Sequence, residues 1–223
     1  MKAMILAAGC GKRLLPITEK IPKPLRTVGN KTLIQRNIQL LIESGVSEII
    51  INVSHLGDSV KKHIDEIFPS ENIYFSFEEK PLGTGGGILK ALPLIGNDCF
   101  LLMNADILHK IDVSNVPKDV KAAHLIGVSN PDHNLNGDFN LVNGLIDIDS
   151  ESNSYTWSGI SVMNPKIFAN NSFKKDHFNI WSSVLPKYIE EGIVTGHASS
   201  KFWLDVGTIE RLKLANTVYN DEN

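Results

Sequence analysis

The chain has 223 residues, of which 42% are apolar and 21% charged, and its formal net charge is −3. This length and composition are typical of a globular protein with a substantial core, and we expect one domain over residues 1–223. The slight negative charge argues against nucleic acid as a partner, and no apolar run approaches the roughly 18 residues of a membrane span. Because there are only two cysteines and the N-terminus enters a strand directly, the cytoplasm is the expected location.

The first half of the chain alternates apolar strand patterns with amphipathic helix patterns. Strands are predicted at Met4–Ala7, Glu48–Val53, Ile73–Phe77 and Cys99–Met103, and helices at Ile34–Ile42, Asp58–Ile67 and Thr84–Leu92, the last ended by Pro93. Such alternation requires crossover connections and therefore predicts an α/β fold with a Rossmann-like, doubly wound, mostly parallel sheet. Ligands of these sheets bind beyond the carboxyl ends of the strands.

The second half is less regular and predicts a small inserted β region that covers the ligand site. Strands are predicted at Ala122–Ser129 and Thr156–Met163, a hairpin at Phe139–Asp149 around Asn143-Gly144, and helices at Ile180–Glu191 and Ile209–Tyr219. No internal repeat or linker divides the chain.

The loop after the first strand combines glycines with cations. Its residues Gly9–Arg13 read GCGKR, and Pro22–Pro24 follow as PKP. Glycine lets the backbone approach a ligand with exposed N–H groups, and clustered cations supply the charge that a phosphate chain needs. The spacing excludes a Walker A loop, since Leu6 occupies its first glycine position, and a dinucleotide fingerprint, since Leu14 replaces the third glycine. A phosphate-binding loop of another kind remains.

Two further blocks carry chemistry. Glu78–Gly87 (EEKPLGTGGG) opens a predicted helix with glycines, which favours a flat or anionic ligand at the helix N-terminus. Asn104–Asp106 (NAD) and Trp203–Thr208 (WLDVGT) each contain an aspartate after an apolar strand pattern. If the fold brings these two carboxylates together, they form a hard-oxygen site suited to Mg²⁺.

Together these motifs resemble the sugar-phosphate nucleotidyltransferases, which join a nucleoside triphosphate to a sugar 1-phosphate. The opening motif that carries the resemblance consists of Gly9, Gly11, Arg13, Pro16, Thr18, Pro22, Lys23 and Pro24. The resemblance implies a nucleotide half over about residues 1–106 and a sugar-binding half over about residues 107–223. It also implies in-line attack on the α-phosphate with release of pyrophosphate.

The resemblance implies a role for each motif residue. Catalytic roles fall to Arg13, Lys23, Asp106 and Asp205, of which Asp106 and Asp205 would bind Mg²⁺. Nucleotide binding falls to Ala8, Gly9, Gly11, Lys12, Arg13, Lys23, Glu78, Gly83, Thr84, Gly85 and Asn104. Sugar binding falls to Gly137, Asp138, Trp157, Ser158 and Gly159. Many members carry an E-K-P segment between the GDF and WSGISV segments, and its lysine contacts the sugar phosphate; residues 140–154 of this chain contain no such segment.

Within the family, three segments resemble members that use UTP and N-acetylmuramate α-1-phosphate in peptidoglycan recycling. They are GDF at 137–139, WSGISV at 157–162 and DVGTIERL at 205–212. Alternatives are the same chemistry with mannose 1-phosphate and GTP, a phosphocholine cytidylyltransferase, and a non-catalytic nucleotide-binding regulator. No sequence pattern indicates the oligomeric state.

Overall fold

The computed structural model describes residues 1–9, 11, 17–169 and 176–221. The strands in this part are β1 (Lys2–Leu6), β2 (Thr27–Val28), β3 (Lys31–Thr32), β4 (Glu48–Val53), β5 (Ile73–Phe77), β6 (Phe100–Asn104), β7 (Ile107–His109), β8 (Ala123–Ser129), β9 (Asn140–Val142), β10 (Leu145–Asp147), β11 (Tyr155–Met163), β12 (Val194–Ala198) and β13 (Trp203–Asp205). The α-helices are α1 (Leu33–Glu43), α2 (Gly57–Ile67), α3 (Gly83–Ile95), α4 (Lys166–Ala169), α5 (Ile180–Ser183), α6 (Leu185–Glu190) and α7 (Ile209–Asp221).

Nine of these strands form a central sheet in the order β5-β4-β1-β6-β11-β8-β12-β10-β9. Strands β10 and β11 run opposite to the other strands of this sheet. The four strands β5, β4, β1 and β6 pair in parallel, so their carboxyl ends meet at one edge. This arrangement confirms the predicted Rossmann-like, mostly parallel α/β sheet. Two small sheets, β2 with β3 and β7 with β13, lie outside it.

Apolar residues fill both faces of the sheet because consecutive strand residues point to opposite sides. In β1, Ala3 and Ile5 belong to the core on one face, which α1 and α2 complete. Met4 belongs to the core on the other face, with Ile88 and Ala91 of α3. Helices on both faces bury the sheet, as expected of a doubly wound fold. None of the described helices has the length and apolarity that crossing a membrane requires.

Two predicted helix boundaries are wrong. Helix α3 continues through Pro93 to Ile95, because a proline this near the end removes a single bond of the last turn. Gly96, with φ 88°, follows its end. The predicted helix Ile180–Glu191 is divided at Val184, and Pro186 occupies the first turn of the second piece, where proline is tolerated.

The hairpin is confirmed in its turn chemistry, whereas several short strands were not predicted. Asn143 and Gly144 both have positive φ, 52° and 78°, as a two-residue type I′ turn requires. Strand β12 contains Gly196 and His197 and shows no apolar run. Strands β7 and β13 span three residues each, which is too short for a periodic signal.

Strand β7 contains a buried histidine, His109, that is 8% exposed. Its Nδ1 accepts the Ile111 N–H at 3.2 Å, so the proton of the neutral ring lies on Nε2. Burial lowers the pKa of His109 to about 4, because the charged ring loses its hydration in the protein interior.

The depressed pKa of His109 predicts a loss of stability in acid. Below its ordinary value of 6.5 the unfolded chain takes up a proton that the folded chain refuses, so stability falls as pH drops towards 4. The full effect is about 3 kcal/mol. His109→Asn retains an acceptor for the Ile111 N–H but no longer titrates, so its stability should vary less with pH. Burial also lowers the pKa of His124 to about 4, but that residue is common to both proteins.

Urea unfolding of both proteins at pH 7.5 and 5 measures this difference. Parallel changes with pH in the two proteins would contradict the assignment to His109.

Candidate active site

A buried chain of polar groups ties the carboxyl ends of β1, β4 and β5 together. The Oδ1 atom of Asn52 accepts the Ala7 N–H at 2.8 Å, and its Nδ2 donates to Oε1 of Glu78 at 2.7 Å. The other carboxylate oxygen of Glu78 accepts the Leu82 N–H at 2.8 Å. Because these bonds are shielded from water, they fix the loop after β1 relative to the start of α3.

The glycines at the start of α3 pack against the chain itself. The N–H groups of Gly85 and Gly86 donate to the carbonyl of Phe178 at 2.9 and 3.3 Å. A Cβ atom at Gly85 would lie 2.4 Å from the Phe178 ring, and one at Gly86 would lie 2.2 Å from the Asp176 carbonyl oxygen. Because these two glycines have no side chains, the segment before α5 can pack directly against them. Their backbone N–H groups already donate to the Phe178 carbonyl in that segment.

A cavity of about 240 Å³ opens at this edge of the sheet. Seven residues assigned to the site from sequence line it: Ala8, Gly9, Glu78, Gly83, Thr84, Asn104 and Asp106. Asn52 and Asn179, which no motif indicated, also line it, as does Pro81 of the motif EEKPLGTGGG. We call this space the first cavity.

The described part of the opening motif folds around Gly11, which has φ 59°. The hydroxyl of Thr18 donates to the Gly11 carbonyl at 3.0 Å. A Cβ at Gly11 would lie 2.9 Å from the Thr18 methyl carbon and 3.4 Å from Cβ of Lys23. The spacing of this motif therefore reflects a close fit between three of its members. Lys12 and Arg13 lie outside the described residues, as does Cys10.

Lys23 lies at the start of a single 3₁₀ turn, Lys23–Leu25, that follows the extended residue Pro22. The residue is 8% exposed, and its ammonium group forms an ion pair with the Asp106 carboxylate. Burying a charged amine costs free energy, so such a group is normally buried only beside a partner of opposite charge. The pair holds the cation beside Asp106, which lines the first cavity.

The two aspartates assigned from sequence lie on neighbouring segments. Asp106 directly precedes β7, and Asp205 is the last residue of β13, where it pairs with Ile107. The Val206 N–H donates to the Asp106 carbonyl at 2.8 Å. Both residues line a second cavity, of about 420 Å³. Asp205 thus belongs to the small two-stranded sheet rather than to a strand of the central sheet.

One carboxylate oxygen of Asp205 is partnered and the other is not. Arg211 Nη2 lies 3.2 Å from Oδ2, and His133 Nε2 lies 3.7 Å from the same atom. Oδ1 is buried without a hydrogen-bond partner among the described residues. Together with Asp106 it offers the hard oxygens that Mg²⁺ prefers.

These two aspartates fit a magnesium site only in part. No group of three or more His, Cys, Asp or Glu side chains in the described ranges could hold a metal. Water or substrate oxygens would have to complete the shell, as is usual for Mg²⁺.

The second cavity is walled by the bulge in β11. The Asp138 carboxylate accepts the Trp157 N–H at 2.8 Å and an Asn134 side-chain N–H at 3.0 Å. Trp157 and Ser158 line the cavity, and the Ser158 carbonyl accepts the Trp203 indole N–H at 2.8 Å. Both oxygens of Asp138 are thus engaged in shaping the wall.

Two glycines assigned to sugar binding have conformational roles in the structure. Gly159 has φ 77°, and a Cβ there would lie 2.4 Å from Nδ2 of Asn104. Gly137 has φ 64°, and a Cβ there would lie 2.4 Å from the Asn153 carbonyl oxygen. Four further residues of the wall, Ile107, His133, Asn134 and Trp203, were not assigned from sequence. Only Trp203 lay within a motif, WLDVGT.

The two cavities meet at Asn104 and Asp106, which line both. A molecule in either cavity would therefore reach the Lys23–Asp106 pair. A Rossmann-like sheet with two such cavities at the carboxyl end of its strands is typical of enzymes that bind a nucleotide beside a second ligand.

Comparison with known proteins identifies the family of this chain. The chain belongs to the nucleotidyl transferase family, whose model matches residues 2–136. It is 35% identical, over 98% of both chains, to N-acetylmuramate alpha-1-phosphate uridylyltransferase from Neisseria meningitidis serogroup B. It is 29% identical to mannose-1-phosphate guanyltransferase from Aspergillus oryzae, over 93% of this chain and 61% of that protein.

Solved structures share the fold. A Bacillus anthracis protein in complex with sucrose superposes with a TM-score of 0.85 at 24% identity, covering 100% of this chain and 96% of that one. HddC from Yersinia pseudotuberculosis, complexed with GMP-PN, superposes with a TM-score of 0.81 at 24% identity, covering 98% and 99%.

Gly87→Ala tests the polar chain behind the first cavity. A Cβ at Gly87 would lie 2.6 Å from Asn52 Nδ2 and 2.7 Å from Glu78 Oε1. Both groups are already bonded, so they must move apart, and we expect a loss of about 1–3 kcal/mol of unfolding free energy. Gly9→Ala is the control, because a Cβ there meets no described atom within 4 Å. An unchanged urea midpoint for Gly87→Ala would refute the role of this contact.

Asp138→Ala tests the wall of the second cavity. Removing the carboxylate leaves the half-buried Trp157 N–H without its acceptor, and we expect a loss of about 1 kcal/mol. The near-ultraviolet circular dichroism should change as well, because Trp157 stacks on Trp181 at a centroid distance of 5.8 Å. Asp147→Ala, on an exposed residue of β10, should leave both measurements as in the parent protein. If the two variants behave alike, Asp138 does not brace the wall.

Proposed function

We propose that the chain joins UTP and N-acetylmuramate α-1-phosphate, giving UDP-N-acetylmuramate and pyrophosphate, as a step of peptidoglycan recycling. The choice of substrates depends on the relative from Neisseria meningitidis, which matches over 98% of both chains. The choice of reaction is supported by the two cavities that meet at Asp106. The two halves of the chain would work as a single nucleotidyltransferase domain.

The first cavity suits the nucleotide. Pro81 and Thr84 form a wall beside which a base can lie, and Asn52 and Glu78 hold that wall in position through their buried bonds. The loop at Ala8–Gly9 lies at the carboxyl end of β1, where phosphates bind in sheets of this kind. Lys12 and Arg13, assigned to the phosphates from sequence, belong to the same proposal.

The second cavity suits the sugar. Its wall offers hydroxyl and amide groups from Thr156 and Asn134 and the flat ring of Trp157, which together match the polar and apolar faces of a pyranose. His133 lies in the same wall. With no E-K-P lysine between the GDF and WSGISV segments, we assign the sugar phosphate to Lys23, which forms an ion pair with Asp106 at the junction of the two cavities.

The reaction needs positioning and charge neutralisation more than covalent help. An oxygen of the sugar phosphate forms a bond to the α-phosphorus while the bond from that phosphorus to the bridging oxygen breaks, and pyrophosphate leaves with the electron pair. Lys23 would neutralise negative charge at the reacting phosphate. Mg²⁺ held by Asp106 and Asp205 would supply further charge neutralisation there.

A second candidate is a guanylyltransferase for mannose 1-phosphate. It is favoured by the match to the Aspergillus oryzae enzyme, which extends over 93% of this chain. Shape alone does not separate the two, because both pairs of substrates would use the same two cavities.

A pyrophosphate-release assay separates these candidates. We expect turnover with UTP and N-acetylmuramate 1-phosphate in the presence of Mg²⁺, and at most background when Mg²⁺ is replaced by excess chelator. Each of the four nucleoside triphosphates should be combined with the sugar 1-phosphates of N-acetylmuramate, mannose and glucose. A preference for GTP with mannose 1-phosphate would establish the second candidate instead.

Asp106→Asn and Asp205→Asn test the roles of the carboxylates. Each variant keeps the shape of the side chain but removes its charge, so we expect kcat to fall by roughly 100-fold or more. Asp112→Asn, on an exposed loop residue, is the control and should retain activity. Circular dichroism and urea unfolding show whether the fold survives. Near-normal turnover in either active-site variant would remove that aspartate from the proposed reaction.

A further inference from the structure

A third cavity, of about 240 Å³, lies apart from the first two. It is enclosed by α1, by β7 with the residue that follows it, and by the end of α7. Leu108 and Phe202 supply apolar surface, and His109 contributes to the same wall. None of its lining residues lines the first or second cavity.

The lining of this third cavity carries an excess of positive charge. Lys31, Arg36 and Lys110 line it, and Glu43 is the acidic residue among them. Lys31 donates to the Gln39 side-chain oxygen at 2.6 Å, and Gln39 donates in turn to Glu43 at 2.9 Å. The chain as a whole has a net charge of −3, so this concentration of cations is local. Such a lining attracts anions.

Two buried N–H donors in these walls have no acceptor within the described part of the chain. One is Nε2 of His109, which carries the ring proton because Nδ1 accepts the Ile111 N–H. The other is Nε of Arg36. The rest of the Arg36 guanidinium is held, since Nη2 donates to the Val28 carbonyl and Cζ lies 4.1 Å from the centroid of the Tyr219 ring. Buried donors are almost always paired in native proteins.

We propose that the third cavity is a binding site for a small molecule with a carboxylate or phosphate group. The surrounding cations would attract the anionic group. Its acceptor oxygens would bond the donors of His109 and Arg36 once these side chains turn towards the cavity, because both nitrogen atoms are shielded from solvent in the structure. The apolar part of the molecule would pack on Leu108 and Phe202. Carboxylate and phosphate groups both carry negative charge and several acceptor oxygens, and the cations and N–H donors of this cavity favour such groups.

The third cavity is connected to the proposed active site through backbone pairing. His109 of β7 pairs with Trp203 of β13, whose indole N–H donates to the Ser158 carbonyl in the wall of the second cavity. Asn37, which also lines the third cavity, donates to the carbonyls of Asn104 and Ala105 at 3.4 Å. A ligand in the third cavity would therefore shift the surroundings of Asp106, and the site is an effector site.

Nuclear magnetic resonance of the full chain with ¹⁵N-labelled histidine tests the binding. Sodium phosphate and sodium acetate are titrated separately at constant ionic strength. We expect the His109 Nε2–H signal to shift and to saturate with one of the two anions, which identifies the anionic group that is preferred. The signal of His133, in the second cavity, reports anion binding at the active site in the same spectrum.

Two substitutions of His109 form a matched pair. His109→Gln retains an N–H near the Nε2 position, whereas in His109→Asn the side-chain oxygen accepts the Ile111 N–H and the amide N–H groups lie closer to the backbone than Nε2 does. Calorimetric titration with the preferred anion should detect this binding in His109→Gln and lose it in His109→Asn. Because His109 is buried, Lys110→Ser provides a second test that does not depend on the core. It should weaken binding several-fold by removing one attractive charge, while the exposed Lys187→Ser should not.

The indole N–H signal of Trp203, assigned with Trp203→Phe, tests the connection to the active site. It should move in parallel with saturation of the third cavity. Shifts of His109 that remain linear, or that Lys110→Ser and Lys187→Ser change equally, indicate an adventitious ion only and overturn the proposal. A saturating His109 signal with a stationary Trp203 signal overturns the effector role. No readout uses catalysis, so these results are independent of the proposed reaction.

Discussion

The proposed active site depends on the ion pair between Lys23 and Asp106. Asp106 lies where the two cavities meet, and the buried ammonium group of Lys23 needs this carboxylate as its partner. The pair joins the opening motif to the end of β6, two segments separated by 83 positions in the chain. Because Asp106 lines both cavities, a molecule in either one would lie beside the same ion pair.

The pairing of β7 with β13 positions the second aspartate, Asp205, as the ion pair with Lys23 positions Asp106. It brings Asp205 beside Ile107 and leaves one buried carboxylate oxygen without a partner in the described part of the chain. A buried charge is tolerated when a bound group compensates it, and a divalent cation beside Asp106 would do so. The same pairing places His109 opposite Trp203, so the third cavity and the second cavity share one small sheet.

The glycines show how one residue type serves different physical purposes. From sequence, the run Gly85–Gly87 indicated a ligand at a helix N-terminus. In the structure these residues admit Phe178, Asp176 and the Asn52–Glu78 pair, which a Cβ would displace. A bound ligand and a closely packed segment of the chain both require residues without a side chain. The sequence alone does not show which of the two lies against these glycines. Gly9 is different, since a Cβ there meets no described atom and the residue lines the first cavity.

The sequence by itself determined the alternation of strands and helices, the turn at Asn143-Gly144 and the family. These features depend on local periodicity, on backbone conformation or on motifs that are contiguous in the chain. Only the tertiary structure decided that Asp205 lies beside Asp106, that Asp138 braces Trp157, and that His109 faces a third cavity. Strands β7, β12 and β13 are too short or too mixed to be recognised locally. They form because distant segments pair with them, and the free energy of that pairing appears only once the chain has folded.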